Sequence, residues 1–195
     1  MSYISSLEIP KDFWDPVMQH DPKILGESLL NNRQIGKLFD NFNFIDKSLL
    51  ILLKKGEIIG TRGNGYCGIY SILASIIKKN KKIYDMDHSL FLEQITPIME
   101  IYGIYDRPLA IDADLLCNIM RVYFETYLSD IQNPSFAIFS LSDQTIKFDA
   151  PKDSRCFMNN LFTIIYDYGH FESLCCNEKD IQKIYLKLQK FVENS

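Results

Sequence analysis

The stretch Gly63-Asn64-Gly65-Tyr66-Cys67-Gly68-Ile69-Tyr70-Ser71-Ile72 joins a glycine-rich turn to an apolar run with helical spacing. Apolar side chains recur at intervals of three and four residues until Lys79, so the sequence predicts a buried helix that begins at Cys67. Unpaired amides and the positive end of a helix dipole favour a thiolate, the nucleophilic form of cysteine. Cys67 is therefore a candidate nucleophile.

The alternative interpretation of Cys67 is a small buried hydrophobic side chain at the start of a helix. The surrounding glycines, Gly63, Gly65 and Gly68, favour the functional interpretation. They would leave the sulfur and its amide open to a substrate backbone, which a merely packed cysteine does not need.

A second candidate segment follows about a hundred residues later. An apolar strand is predicted over 161–166, and after a break come His170 and Glu172. Residues two apart in an extended segment share a face, so the Glu172 carboxylate could orient the His170 imidazole. The alternative for His170 is an ordinary surface or core histidine. His20 and His88 have polar neighbours in the sequence, and we expect both to be solvated.

The remaining pattern predicts helices first and strands later, which is typical of an α+β domain. The N-terminal third should be mainly helical, because apolar residues keep a three-four spacing from Ile35 to Leu53, in one helix or in two interrupted within 41–46. Further helices are predicted from near Asp87, bent or split at Pro97, and over 112–127 and 178–192. Extended segments are predicted over 58–59, 136–141, 145–148 and 161–166.

The amino-acid composition limits the classes of function that the chain could have. The 195 residues, of which 47% are hydrophobic and 24% charged, suit one compact domain over 1–195. A net charge of -4 disfavours a nucleic-acid partner. No apolar run is long enough for a membrane span, and Met1 to Trp14 lacks a signal pattern, so a cytoplasmic protein is expected. Five cysteines without a CxxC pair, and three scattered histidines, argue against disulfides and zinc.

The two motifs together resemble the ovarian-tumour (OTU) family of cysteine peptidases. That family has Asp-Gly-Asn-Cys before a helix, which Asn64-Gly65-Tyr66-Cys67 matches with two changes, and a late His-aromatic-Asp/Asn-Ser segment, which His170-Phe171-Glu172-Ser173-Leu174 matches closely. The resemblance covers roughly 58–174 and leaves the helical N-terminal region and the C-terminal amphipathic helix outside it. It implies a papain-like α+β fold, with a small central sheet packed between helices.

The resemblance also implies roles for four residues. Cys67 would be the nucleophile, His170 the general base and then acid, and Glu172 the residue that orients His170. Asn64 stands where the family usually has an aspartate near the oxyanion hole, and its amide could donate to the oxyanion. Glu172 is one methylene longer than the usual acid. No cofactor or metal is implied.

The function implied by the resemblance is hydrolysis of isopeptide or peptide bonds after the C-terminal glycine of ubiquitin or a ubiquitin-like protein. A monomer acting on such conjugates is expected, in the host cytosol if the source is a virus or an intracellular bacterium. Two alternatives stay open. One is another papain-like acyl transferase, a transglutaminase or deamidase; the other is a degenerate ubiquitin-binding module without turnover.

Overall fold

The computed structural model describes residues 20–40, 42, 45–108, 111–151 and 160–193. The predictions for Met1 to Trp14, for Asn41 and for Cys156 fall outside these residues. The described residues form an α+β fold with one six-stranded sheet. The strands are β1 (Leu29–Gln34), β2 (Glu57–Thr61), β3 (Ser135–Ser140), β4 (Thr145–Asp149), β5 (Leu161–Asp167) and β6 (His170–Cys175). The helices are α1 (Lys47–Leu53), α2 (Cys67–Lys79), α3 (Lys81–Tyr84), α4 (His88–Ile101), α5 (Ala113–Tyr127) and α6 (Glu178–Glu193).

The sheet has the strand order β1-β2-β6-β5-β3-β4. Its neighbouring strands are antiparallel except β3 and β5, which run parallel. The last strand, β6, therefore lies between β2, which leads into the glycine-rich turn, and β5. This arrangement places the two sequence motifs next to each other.

Two hydrophobic cores cover the two faces of the sheet. Helices α2, α4 and α5 pack on one face, and α1 and α6 pack on the other. Alternate residues of β3 lie in the two cores: Phe136 and Ile138 belong to the first, and Ala137 and Phe139 belong to the second. The predicted arrangement of a sheet between helices is confirmed.

The predicted central helix is confirmed, because α2 begins at Cys67 and ends at Lys79. The helices predicted from Asp87 and Asp112 are also present, and each of these carboxylates accepts a hydrogen bond from the first turn. Pro97 lies inside α4, so the expectation that it splits the helix is wrong. Within the described ranges, no helix is long and apolar enough to cross a membrane.

The prediction of a mainly helical N-terminal region is wrong in part. Residues 29–34 form the edge strand β1, residues 36–40 form turns, and among the described residues of this region only Lys47–Leu53 is an α-helix. The polar strand β1 forms because it pairs with β2 across a register shift, a tertiary contact that overrides local propensity. The apolar residues with helical spacing are nonetheless buried together against α6.

Candidate active site

Cys67 is the first residue of α2 and its side chain is almost enclosed, with 8% of the residue exposed. Burial raises the pKa of the Cys67 thiol, and main-chain hydrogen bonds from Phe171, Gly68 and Cys67 itself oppose this only in part. This shift is opposite in direction to the one that the helix N-terminus favours. A raised pKa favours the protonated thiol at neutral pH.

Strand β6 passes beside the start of α2, where Cys67 lies. Phe171 packs against Gly68, the second residue of α2: a Cβ at Gly68 would lie 3.3 Å from the Phe171 ring and 3.0 Å from Leu116. His170 immediately precedes Phe171, so the fold brings the segment that carries His170 to the start of α2. Because side chains alternate along a strand, the His170 side chain shares its face of β6 with Glu172 and lies opposite the face on which Phe171 packs against α2.

His170 begins β6 after a tight turn. The turn residues Tyr168 and Gly169 have φ values of 45° and 86°, as a two-residue hairpin of this twist requires. Burial lowers the pKa of His170, while the charge of Glu172 and a hydrogen bond with the Thr61 main chain raise it and the charge of Arg33 lowers it. A lowered pKa favours the neutral imidazole, which is the form that can accept a proton.

Burial is the largest influence on the pKa of His170, and the main chain of Thr61, at the end of β2, is one of the groups that oppose it. The Thr61 hydroxyl donates to the Phe171 carbonyl, with an oxygen–oxygen distance of 2.5 Å. Thr61 thus links the segment that carries His170 to the segment that leads to Cys67. Sequence reasoning missed this residue, because a main-chain partner leaves no signal in a side-chain motif.

Glu172 lies on the same face of β6 as His170, but its carboxylate forms an ion pair with Arg33 on β1. Among the described residues, no hydrogen bond joins Glu172 to the His170 ring. Its influence on His170 is electrostatic. No local pattern pointed to Arg33, which is separated from Glu172 by 139 positions.

Asn64 is 4% exposed, and its side chain is fully engaged within the protein. Its Nδ2 donates to Asp21 Oδ1 at 3.0 Å and to the Tyr70 hydroxyl at 3.1 Å, and its Oδ1 accepts from the Tyr66 amide at 3.2 Å. Both amide protons have partners, so the proposed donation to an oxyanion has no free proton in this conformation. The geometry assigns Asn64 to bracing the turn.

A buried polar network lies beneath the glycine-rich turn. The Tyr70 hydroxyl is 2.6 Å from Nε2 of His88, which is 2% exposed. The Tyr70 hydroxyl also accepts a hydrogen bond from Asn64, and the direction of its bond with His88 depends on the His88 tautomer. Burial lowers the pKa of His88, so the expectation that His88 is solvated is wrong.

A side chain from a distant loop also stabilises the glycine-rich turn. Arg107, in the loop after α4, donates to the Asn64 carbonyl at 2.8 Å and to Asp21 Oδ2 at 3.0 Å. Gly65 has a φ of 97°, which a residue with a side chain would adopt only under strain. The amides at the start of α2 lack helical partners and are the available donors for a negatively charged oxygen.

The described part of the chain contains no cluster of histidine, cysteine, aspartate or glutamate suited to a metal ion. Its four cysteines, Cys67, Cys117, Cys175 and Cys176, are free thiols. The arrangement that remains is a buried thiol beside a strand that carries a neutral imidazole, which is chemically suited to nucleophilic acyl transfer.

Comparison with known proteins finds no relative: no protein-family profile, no curated protein and no solved structure matches the chain.

Proposed function

We propose that this protein is a cysteine-dependent hydrolase that cleaves isopeptide or peptide bonds after the C-terminal glycine of ubiquitin or a ubiquitin-like protein. The observation that carries the proposal is the packing of Phe171 against Gly68, by which the strand segment that carries His170 runs beside the start of α2, where Cys67 lies. The OTU-like motifs around Cys67 and His170 supply the substrate class.

The proposed reaction follows from the protonation states of the two groups. His170 takes the proton from the Cys67 thiol as the sulfur attacks the carbonyl carbon of the scissile bond. The first amides of α2 bind the resulting oxyanion. His170 then donates the proton to the leaving amine, which leaves a thioester on Cys67. Water, activated by His170, hydrolyses the thioester and restores the thiol.

The test uses ubiquitin carrying a C-terminal electrophile, together with cleavage of di-ubiquitin of each linkage. We expect the wild-type protein to form a covalent adduct and to cleave at least one linkage, and Cys67→Ala to do neither. Cys175→Ala is the matched control, since Cys175 is a half-buried free thiol in the same strand as His170, and it should retain both activities. Cleavage by Cys67→Ala at a comparable rate would refute the mechanism.

Variants of β6 test the roles of the base and the acid. His170→Ala should be almost inactive, whereas Glu172→Ala should be partly active, because the Glu172 carboxylate pairs with Arg33 and forms no hydrogen bond with the His170 ring. Equal losses in the two variants would instead make Glu172 as essential as the base.

A second candidate function is a ubiquitin-binding module without turnover. The raised pKa of Cys67 and the pairing of Glu172 with Arg33 favour it, since the thiol is not activated in this conformation. Binding of ubiquitin without adduct formation and without cleavage of any linkage would select this candidate over the hydrolase.

A further inference from the structure

Arg33 reaches the candidate site from the edge of the sheet. Its β1 backbone is separated from β6 by β2, and its guanidinium nevertheless pairs with Glu172. Gly60 makes room for this crossing: Ile59 pairs with Ser173, so Gly60 lies beside Glu172, and a Cβ at Gly60 would sit 3.5 Å from Glu172 Oε1.

Groups from four strands lie around His170. Glu172 shares its face of β6, and Asp167 of β5 stands opposite His170 in the antiparallel register, on the same face. The main chain of Thr61, at the end of β2, raises the pKa of His170 against the effect of burial. Arg33 of β1 supplies the positive charge: it pairs with Glu172, it opposes the rise that burial causes in the pKa of Asp167, and it adds to the lowering that burial causes in the pKa of His170.

We propose that Arg33 is a positioning residue of this site: by pairing with Glu172, it holds this carboxylate away from the His170 imidazole and favours the neutral ring. This inference rests on the proposed function for its catalytic consequence, whereas the ion pair between Arg33 and Glu172 is a feature of the structure itself.

Two effects of Arg33 act in the same direction. The Glu172 side chain is only 17% exposed, so without Arg33 its charge would need another partner, and His170 on the same face is the available one. Removal of Arg33 would also remove a cation from the neighbourhood of the ring. Both changes favour the imidazolium, which cannot act as a general base.

The test compares Arg33→Gln, which removes the charge, with Arg33→Lys, which keeps it. Arg121→Gln is the matched control, because Arg121 also forms a partly exposed ion pair, with Asp149, at the other edge of the sheet. The first measurement is the NMR titration of the His170 ring, which can be assigned because the chain has three histidines. The second is kcat/KM for a ubiquitin substrate as a function of pH.

We expect Arg33→Gln to move the His170 titration midpoint upward, and Arg33→Lys and Arg121→Gln to leave it close to wild type. The acidic limb of kcat/KM should move in parallel, with a loss of about fivefold near pH 6 and a smaller loss near pH 8. Glu172→Gln removes the negative charge of the ion pair instead, and it should move the titration midpoint of His170 downward.

An unchanged midpoint in Arg33→Gln, or an equal upward shift in Arg121→Gln, overturns the inference. If the wild-type protein cleaves no ubiquitin substrate, the proposed function fails, and the NMR midpoints still decide whether Arg33 controls His170. A uniform loss of activity at all pH values, with no shift in the midpoint, would mean that Arg33 has a purely structural role.

Discussion

The Cys67 sulfur is poorly hydrated, and this sets its reactivity. The dipole of α2 and the main-chain donors around the sulfur stabilise a thiolate, but desolvation of an almost enclosed thiol outweighs them. The free protein is therefore expected to hold the thiol and the imidazole in their neutral forms, so in the proposed reaction proton transfer would accompany attack on the substrate.

This balance predicts slow alkylation of Cys67. The raised pKa leaves less thiolate at neutral pH than an ordinary cysteine has, so the rate of reaction with iodoacetamide should keep rising above about pH 9, the region where an ordinary thiol has largely ionised. Mass spectrometry of the Cys67 peptide measures the rate, with a short cysteine peptide as the control. A rate that is already constant from acidic pH would instead reveal a thiolate–imidazolium pair.

Asn64 acts at the same scale, as a brace for the turn. Asn64→Ala removes hydrogen bonds to Asp21, Tyr70 and the Tyr66 amide, and should lower the free energy of unfolding by about 1–3 kcal/mol. Asn64→Asp should cost at least as much, because it loses both donors and places a second carboxylate beside Asp21. Urea denaturation of the two variants measures this.

The exchange Asp21→Asn with Asn64→Asp provides the control, since it restores one donor and one acceptor across the contact. It should recover part of the stability that Asn64→Asp loses. If Asn64→Ala has wild-type stability but a hundredfold lower kcat, direct donation to the oxyanion is the better account of this residue.

At the scale of elements, Tyr70 and His88 join α2 to α4 through one buried hydrogen bond. The pKa of His88 is lowered in the folded protein, so the folded state binds fewer protons than the unfolded state just below the ordinary histidine pKa. Stability is therefore complete above that value and is lost as pH falls through the folded pKa. The lowered pKa of His170 acts in the same direction.

His88→Gln tests this linkage, because a glutamine oxygen can accept the Tyr70 proton without titrating. The wild-type free energy of unfolding should fall by on the order of 1 kcal/mol between about pH 7.5 and pH 5.5, and the variant should fall less. Urea denaturation at the two pH values measures both. Identical slopes for the two proteins would remove His88 from the linkage.

The elements themselves differ in how far the sequence could predict them. Helix α2 was predictable from Cys67 to Lys79, because its apolar spacing, its glycine-rich start and its terminal lysines agree. Strand β1 was not, since Asn32, Arg33 and Gln34 have neither strand propensity nor alternation and are extended only because β2 lies beside them. A local sequence pattern carries no information on contacts with residues that are distant in the chain, and β1 depends on such contacts.

The same distinction applies to the site at the scale of the whole molecule. Cys67 and His170 could be identified because each stands in a local motif, and the fold brings the two motifs together. Arg33 and Arg107 could not, because each acts on a residue far away in the chain and neither has a distinctive local context. The role suggested for Asn64 failed for a related reason: its partners Asp21 and Tyr70 come from other elements.

Three segments that are distant in the chain meet at the glycine-rich turn before Cys67. Arg107 connects them by donating hydrogen bonds to the Asn64 carbonyl and the Asp21 carboxylate. A loosened turn would displace Cys67 and the first amides of α2, which act in the transition state more than in substrate binding. Arg107→Gln should therefore lower kcat by about tenfold and leave KM within about twofold.

Arg121→Gln controls for the loss of a surface ion pair and should leave both constants unchanged. A rise in KM at constant kcat in Arg107→Gln would show that Arg107 contacts the substrate directly, and unchanged values of both constants would show that the turn keeps its shape without it.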